Sequence, residues 1–292
     1  MNPFIRSITH GIKSVLPEKL KFFLEYTHRR KQLPNLFIPR DYSEYIFRDI
    51  LFNKYHQYVM LADKYNARKF IERKGLGFLL PTLYGTWETA NDIEFDNLPE
   101  SFVLKCNHSC GMTIVCPNKS ELNRSNAIDL LNKWLKTKHP IYFEGHYRKI
   151  KPIIMCEEYI RDSQNMLPID YKLHCVHGEP LFFLVCYDRI LNVSTKLMTF
   201  DLAWNQVDFL SDGKWKNNNA QKPDPPKNLT KMIEYGRLLS QGITQVRIDF
   251  YDTGTKLYFG EYTFTPQGGW LDYYSSDTLK FIRDKIMRIP RT

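Results

Sequence analysis

The sequence predicts an α+β fold in two or three lobes, helical at its start and built afterwards from short strands, hairpins and single helices. The first sixty residues carry apolar and aromatic side chains at three- and four-residue spacing, the period of one helix face. Beyond residue 78, short apolar runs are separated by turn residues such as His177-Gly178-Glu179-Pro180 and Asp252-Thr253-Gly254-Thr255, the punctuation of hairpins. With 43% hydrophobic and 25% charged residues over 292 positions, the chain has a globular composition and enough length for one large core or two modest ones.

In order, residues 18–30 and 41–58 read as helices, with Pro34 and Pro39 bracketing the loop between them. Residues 63–74 read as a third helix, with Asp63 as N-cap and Gly75 as stop, and a strand follows over 78–84. After an acidic loop over 88–100, residues 102–105 and 113–116 form two short strands joined by Asn107-His108-Ser109-Cys110-Gly111. Residues 122–136 have helical spacing, with Leu130, Leu131, Trp134 and Leu135 on one side. A buried strand is expected over 153–160, a polar connection over 161–168 and a hairpin from 171–176 and 181–187. The segment 211–228, rich in Asn, Lys, Asp and Pro, reads as a surface loop or hinge. A helix over 229–241, strands over 245–251 and 256–263, and a closing helix over 277–287 complete the order.

Several classes are excluded at once. No stretch approaches the roughly 20 apolar residues of a membrane span, and the longest rich run, 180–187, suits a buried strand. Residues 8–20 carry His10, Lys13, Glu18 and Lys19 where a signal peptide needs an unbroken apolar core. The six cysteines fall in the middle third, mostly within strand-like runs, and read as reduced; a soluble, cytoplasmic protein is expected. Lys+Arg 41 against Asp+Glu 32 gives +9, which favours nucleotides, nucleic acid, anionic lipid or anionic polysaccharide as partners without choosing among them. The aromatic and basic residues of 19–26 and 41–58 recur at helical spacing, so they read as core packing with a basic face rather than as a nucleic-acid surface.

Three constellations can carry chemistry. Strand alternation lets Arg247, Asp249, Glu261 and Thr263 share one face. Two carboxylates converging from adjacent strands suit Mg²⁺ when phosphate and water complete its shell, and an arginine beside them suits developing negative charge; ordinary cross-strand ion pairs are the alternative. Lys105 stands at a strand end before a small-residue turn that can offer backbone N–H groups to phosphate. That turn lacks the P-loop pattern, and Cys106, His108, Cys110 and Cys116 match no usual zinc spacing. Glu157, Glu158, Tyr159 and Ile160 end the buried strand and Asp170 opens the next, a place for adenosine or simply a polar strand end.

Taken in order, these pieces resemble the ATP-grasp superfamily from about residue 62 to 269. The runs Asp170-Tyr171-Lys172-Leu173-His174-Cys175-Val176-His177-Gly178, Tyr187-Asp188-Arg189, Val246-Arg247-Ile248-Asp249-Phe250-Tyr251 and Phe259-Gly260-Glu261-Tyr262-Thr263-Phe264-Thr265-Pro266 are similar to its TupA-like family. The resemblance implies an ATP-grasp fold, two α+β lobes clasping ATP behind a helical N-terminal region. It implies a helical region and first lobe over 1–98, a lid subdomain over 99–160 and a catalytic subdomain over 161–292. It implies ATP contacts from Lys64 and Lys105, from Ser109 and Gly111 in the phosphate-covering loop, from Glu157, Glu158, Tyr159 and Ile160 at the adenine hinge, and from Asp170 at the ribose and Lys172. Arg247 and Arg189 would be catalytic, Asp249, Glu261 and Thr263 would hold Mg²⁺, and Gly268 and Gly269 would sit in the substrate-side loop. Thr263 stands where many relatives have a metal-binding asparagine.

The activity so implied is an ATP-dependent carboxylate–amine ligase that forms an amide through an acylphosphate. Its partners would be ATP, a carboxylate such as a uronic acid of a surface polysaccharide, and an amine such as an amino acid, with no nucleic acid. The expected place is the cytoplasm, or the periphery of the inner membrane face. A glycosyltransferase using a nucleotide sugar, and a non-catalytic binding protein, are the competing readings; the second gives no reason for two lysines, a hinge acid and paired carboxylates in this order.

Overall fold

The computed structural model describes residues 16–138, 145–161, 167–190, 194–213, 215–216 and 221–288. The first fifteen residues, the stretch 162–166 of the expected polar connection and the side chain of Arg189 lie outside them. The chain begins with helices α1 (Glu18–Arg30), α2 (Tyr42–Leu51), the single turn α3 (Val59–Ala62) and α4 (Lys64–Arg73). Strands β1 (Leu83–Trp87), β2 (Phe102–Cys106) and β3 (Thr113–Cys116) precede α5 (Arg124–Leu135) and β4 (Ile154–Glu158). Then come β5 (Asp170–Val176), β6 (Glu179–Ile190), β7 (Ser194–Phe200), α6 (Leu229–Ser240), β8 (Gln245–Asp252), β9 (Leu257–Thr263) and α7 (Ser276–Met287).

Two antiparallel sheets divide the strands, in the orders β1-β4-β2-β3 and β7-β6-β5-β8-β9. Each has its own core, as an α+β chain of this length permits. Phe102, Leu104, Ile154 and Cys156 of the first sheet pack with Leu131 of α5. The larger core joins the second sheet to the N-terminal helices and to α6 and α7. Edge strand β1 comes from before residue 98, so the first sheet reaches across the expected domain boundary there.

Period-two alternation in β5 decides which face of the second sheet is free for chemistry. Leu173 and Cys175 pack on α6, where Gly236 leaves the room: a Cβ there would lie 2.3 Å from Leu173 Cδ2. Lys172 and His174 therefore point to the other face. That face is roofed by the N-terminal helices, α2 being buried on nearly every side and Phe47 stacking on Tyr26 at 4.0 Å.

Three expectations change. The helix expected over 41–58 stops at Leu51, because Asn53 takes a left-handed conformation (φ 55°), and a 3-10 turn over Lys54–Tyr58 replaces its end. The strand expected over 78–84 is a 3-10 turn, Gly77–Leu79, and pairing starts only at Leu83, after Pro81, which has no N–H to give a ladder. Strand β7 was not expected, since Ser194-Thr195-Lys196 is polar; it is an edge strand, which tolerates such a start.

Caps fix the helix starts that matter. Asp41 accepts from Glu44 N at 2.8 Å at the head of α2. Asp63 accepts from Tyr65 N and Asn66 N at the head of α4, as its N-cap position predicts. Glu44 itself is 1% exposed and accepts from Asn35 N, Arg40 N and the Arg40 guanidinium. Burial pushes its carboxyl up, but these bonds outweigh it and hold the pKa below the ordinary value of 4.5. A depressed native pKa means stability present above the unfolded value and lost as pH falls. Glu44→Gln is expected to cost about 1.5–3 kcal/mol near neutral pH, a deficit that shrinks below the ordinary glutamate value. Urea unfolding of both proteins at the two pH values checks this; a deficit independent of pH would count against it.

Candidate active site

Three strands of the second sheet set the site in register. Lys172 pairs with Asp249 across β5 and β8, and Asp249 with Glu261 across β8 and β9. On the next rung His174, Arg247 and Thr263 stand in the same order. A bulge at Gly260 shifts the β8–β9 register just beyond Asp249. A Cβ at Gly260 would lie 3.0 Å from Asp249 O, so glycine allows the strands to close while Glu261 turns to the side of Asp249.

The side chains on these rungs form a network of ion pairs. Lys172 Nζ donates to Asp170 Oδ2 at 2.6 Å and to Asp249 Oδ2 at 2.5 Å. Arg247 grips Asp249 with two parallel bonds, Nε to Oδ1 at 2.7 Å and Nη2 to Oδ2 at 2.8 Å, and donates to Thr263 Oγ1 at 3.0 Å. Lys64, the first residue of α4, donates to Glu261 Oε2 at 2.7 Å and so ties the N-terminal helices to β9. Burial pushes the carboxyls of Asp249 and Glu261 up, yet Arg247 and Lys172 around Asp249, and Lys64 beside Glu261, hold both below the ordinary range. Burial likewise opposes charge on Lys172, but Asp170 and Asp249 keep its ammonium above the ordinary lysine value. Asp249, Glu261 and Lys172 are therefore charged at neutral pH.

A second cluster lies on the first sheet. Glu157 is buried, with Oε1 taken by Arg68 Nη1 at 2.7 Å and Oε2 by the ammonium of Lys105. Glu158, its neighbour, points the opposite way and accepts from Thr82 N at 3.0 Å and from Tyr258 OH at 2.7 Å. Tyr159 and Ile160 follow half-buried, with the Arg161 guanidinium 4.5 Å over the Tyr159 ring. Asn107 joins the clusters: its side-chain amide donates to Asp63 Oδ1 at 2.9 Å and accepts from Ile153 N at 2.9 Å, while Lys64 N donates to its carbonyl at 3.2 Å. In the same turn Ser109 is buried and donates to Cys110 O, and Gly111 is exposed with φ 74°.

The structure thus brings Asp170, Lys172, Arg247, Asp249 and Thr263 into one bonded network, sets the Lys64–Glu261 pair beside it on the β8–β9 ladder, and joins Lys105 with Glu157 in a separate cluster. Gly268 and Gly269 pack on α2: Ser43 Oγ donates to Gly269 O at 2.5 Å, and a Cβ on Gly269 would lie 2.9 Å from Ile46 Cγ2. Arg68 was missed, although it stands one helical turn after Lys64 on α4, the i to i+4 spacing that puts both on one face. Nothing local in the sequence marks His174, whose place opposite Arg247 is set by strand register.

The donor set suits the expected ligands. Among the described residues no three or more His, Cys, Asp or Glu gather into a metal cage. Two opposed carboxylates with a hydroxyl on the next rung are hard oxygen donors, which fit Mg²⁺ when phosphate and water supply the rest. The nearby ammonium and guanidinium groups fit phosphate.

The family model of TupA-like ATP-grasp proteins matches residues 46–287 of the chain. No curated protein matches it. Among solved structures, the D-alanine–D-alanine ligase of Bacillus anthracis complexed with ATP is 13% identical, with 78% of this chain and 63% of that one covered and a TM-score of 0.47. The corresponding Helicobacter pylori ligase is 15% identical over 78% and 60%, with a TM-score of 0.42. A Microcystis aeruginosa macrocyclase bound to its precursor peptide is 15% identical over 78% and 61%, with a TM-score of 0.39. The chain spans less than two thirds of the length of each.

Proposed function

The chain belongs to the TupA-like ATP-grasp family, and from that membership we propose that it is an ATP-dependent carboxylate–amine ligase forming an amide through an acylphosphate. The observation that carries the reading is the rung Lys172–Asp249–Glu261 with Arg247 behind it and Lys64 closing over it. Asp249 and Glu261 would hold Mg²⁺, with Thr263 as a third oxygen, and the ion would neutralise phosphate charge when bound. Lys64 and Lys105 supply point charges to the phosphates, and Arg68 keeps Glu157 and so Lys105 in place.

The substrate carboxylate oxygen attacks the γ-phosphorus, the bond to the bridging oxygen breaks, and ADP leaves. The amine nitrogen then attacks the acyl carbon of the acylphosphate, the acyl C–O bond to phosphate breaks, and inorganic phosphate leaves with the proton that the nitrogen gives up. Arg247 stabilises the tetrahedral oxyanion between these events. Glu157, Glu158, Tyr159, Ile160 and Asp170 would take the adenosine, the turn with Ser109 and Gly111 would offer backbone N–H groups to the phosphates, and Arg189, Lys172, Gly268 and Gly269 would face the carboxylate side. An acylphosphate must be kept from water, and the segment 102–150 would close over it.

The proposed acceptor is a uronic-acid-containing surface polysaccharide or its precursor and the donor amine an amino acid, in the cytoplasm or at the inner membrane periphery. No helix among the described residues is long and apolar enough to cross a membrane. Thermal unfolding with Mg²⁺ and ATP, ADP or uridine-diphosphate sugars tests the reading. Adenine nucleotides are expected to raise the Tm of the native protein, and less so that of Glu261→Gln, which keeps the side chain's shape but loses a formal charge at the proposed metal position. A shift with nucleotide sugars alone would replace the ligase with a glycosyltransferase.

A further inference from the structure

The turn after β9 holds four of five residues at positive φ, Gln267 (49°), Gly268 (60°), Gly269 (89°) and Leu271 (50°). With the last turn of α1 and the first turn of α7 it bounds a cavity of about 640 Å³. Arg29 and Arg30 line it, together with Trp270, Leu271, Tyr274 and Leu279, which are apolar or carry broad apolar faces. Its acid, Asp272, is exposed.

We propose that this cavity binds an anionic sugar unit of the acceptor; the inference rests on the ligase reading and names where that substrate docks. The Arg29 guanidinium fork suits a carboxylate or a phosphate, while Arg30 beside it is held by Asp41. Arg29 lies 4.4 Å over the Trp270 ring, and its own partner, Glu25, is a half-exposed neighbour on the same helix, a pairing weak enough for a ligand anion to replace. The half-buried Trp270 indole suits the C–H face of a sugar ring. Trp270 Nε1 is itself buried with no hydrogen-bond partner among the described residues.

The cavity is connected to the chemistry. Tyr274 OH and His174 Nε2 are 2.7 Å apart, and His174 stands opposite Arg247 in the β5–β8 ladder. A sugar held against Tyr274 is thus separated from the Arg247 rung by the Tyr274 and His174 side chains. A long acceptor anchored here would present a further unit to the site.

Two exposed substitutions test this without touching the core: Arg29→Glu, and Ser276→Glu, which places an acid in the first turn of α7 where it favours the helix. Binding of oligogalacturonate, a hexose phosphate and a neutral oligosaccharide would be followed by ligand-observed NMR alongside the Mg²⁺–ATP melting shift. The oligogalacturonate is expected to bind the native protein and to weaken at least about tenfold in both variants, with the nucleotide shift unchanged. Binding of the hexose phosphate instead, with the same loss in the variants, supports the cavity and makes the anion a phosphate. Equal binding to all three proteins, equal binding of the neutral sugar, or no binding of either anion overturns the proposal. A missing nucleotide shift in the native protein sinks the ligase reading separately, so the two failures are told apart.

Discussion

Arg247→Ala is expected to lower the rate of ATP-dependent phosphate release, measured with an acid and amine that support turnover, by at least about a hundredfold. A single preorganised donor aimed at a developing oxyanion contributes about 3–4 kcal/mol. Arg247 has that preorganisation, since both of its bonds to Asp249 and the one to Thr263 fix the guanidinium plane before substrate arrives. Removal also leaves Asp249 with Lys172 alone, so some stability is lost with the rate. Arg247→Lys separates the two effects: it restores a cation beside Asp249 but not the fork. A lysine variant that regains the melting temperature and not the rate supports the oxyanion role. One that regains both would show that Arg247 acts only by neutralising Asp249.

Much of this site was legible from residue order because strand alternation is a local rule. Arg247, Asp249, Glu261 and Thr263 were expected on one face, and the ladder puts them there, with the Gly260 bulge keeping Glu261 in phase. The Asp63 cap was equally plain, a short polar side chain immediately before an amphipathic run. What escaped depends on contacts distant in sequence. Lys64 meets Glu261 across 197 positions and Arg68 meets Glu157 across 89, and no spacing rule encodes such distances. Edge strand β7 escaped for another reason, because its residues answer to one neighbour, β6, rather than two. His174 looked like one more polar residue in a strand. Its role as a buried neutral imidazole, kept below its ordinary pKa by burial and by the flanking Arg247 and Lys172, emerges only when β5 and β8 are laid side by side.

Lys172→Met should be the most destabilising single change at the site, by about 3–5 kcal/mol, since one ammonium serves both Asp170 and Asp249 and its loss leaves buried carboxylates short of a cation. The native ammonium is held above the ordinary lysine value, so its contribution is fully present below that value and is lost only as pH rises through the elevated one. In the variant the dependence reverses. Asp249 keeps Arg247, and both Asp170 and Asp249 lose the ammonium they share. Protonation removes negative charge that the shared ammonium no longer offsets, so acid should narrow the gap between the two proteins. Urea unfolding of the native chain, Lys172→Met and Lys172→Met/Asp170→Asn from about pH 7 down to about pH 4 tests this. The double variant should recover part of the loss at neutral pH and show a weaker pH trend than the single one. If Asp170→Asn adds to the damage instead, Asp170 does not depend on Lys172 for its place in the site.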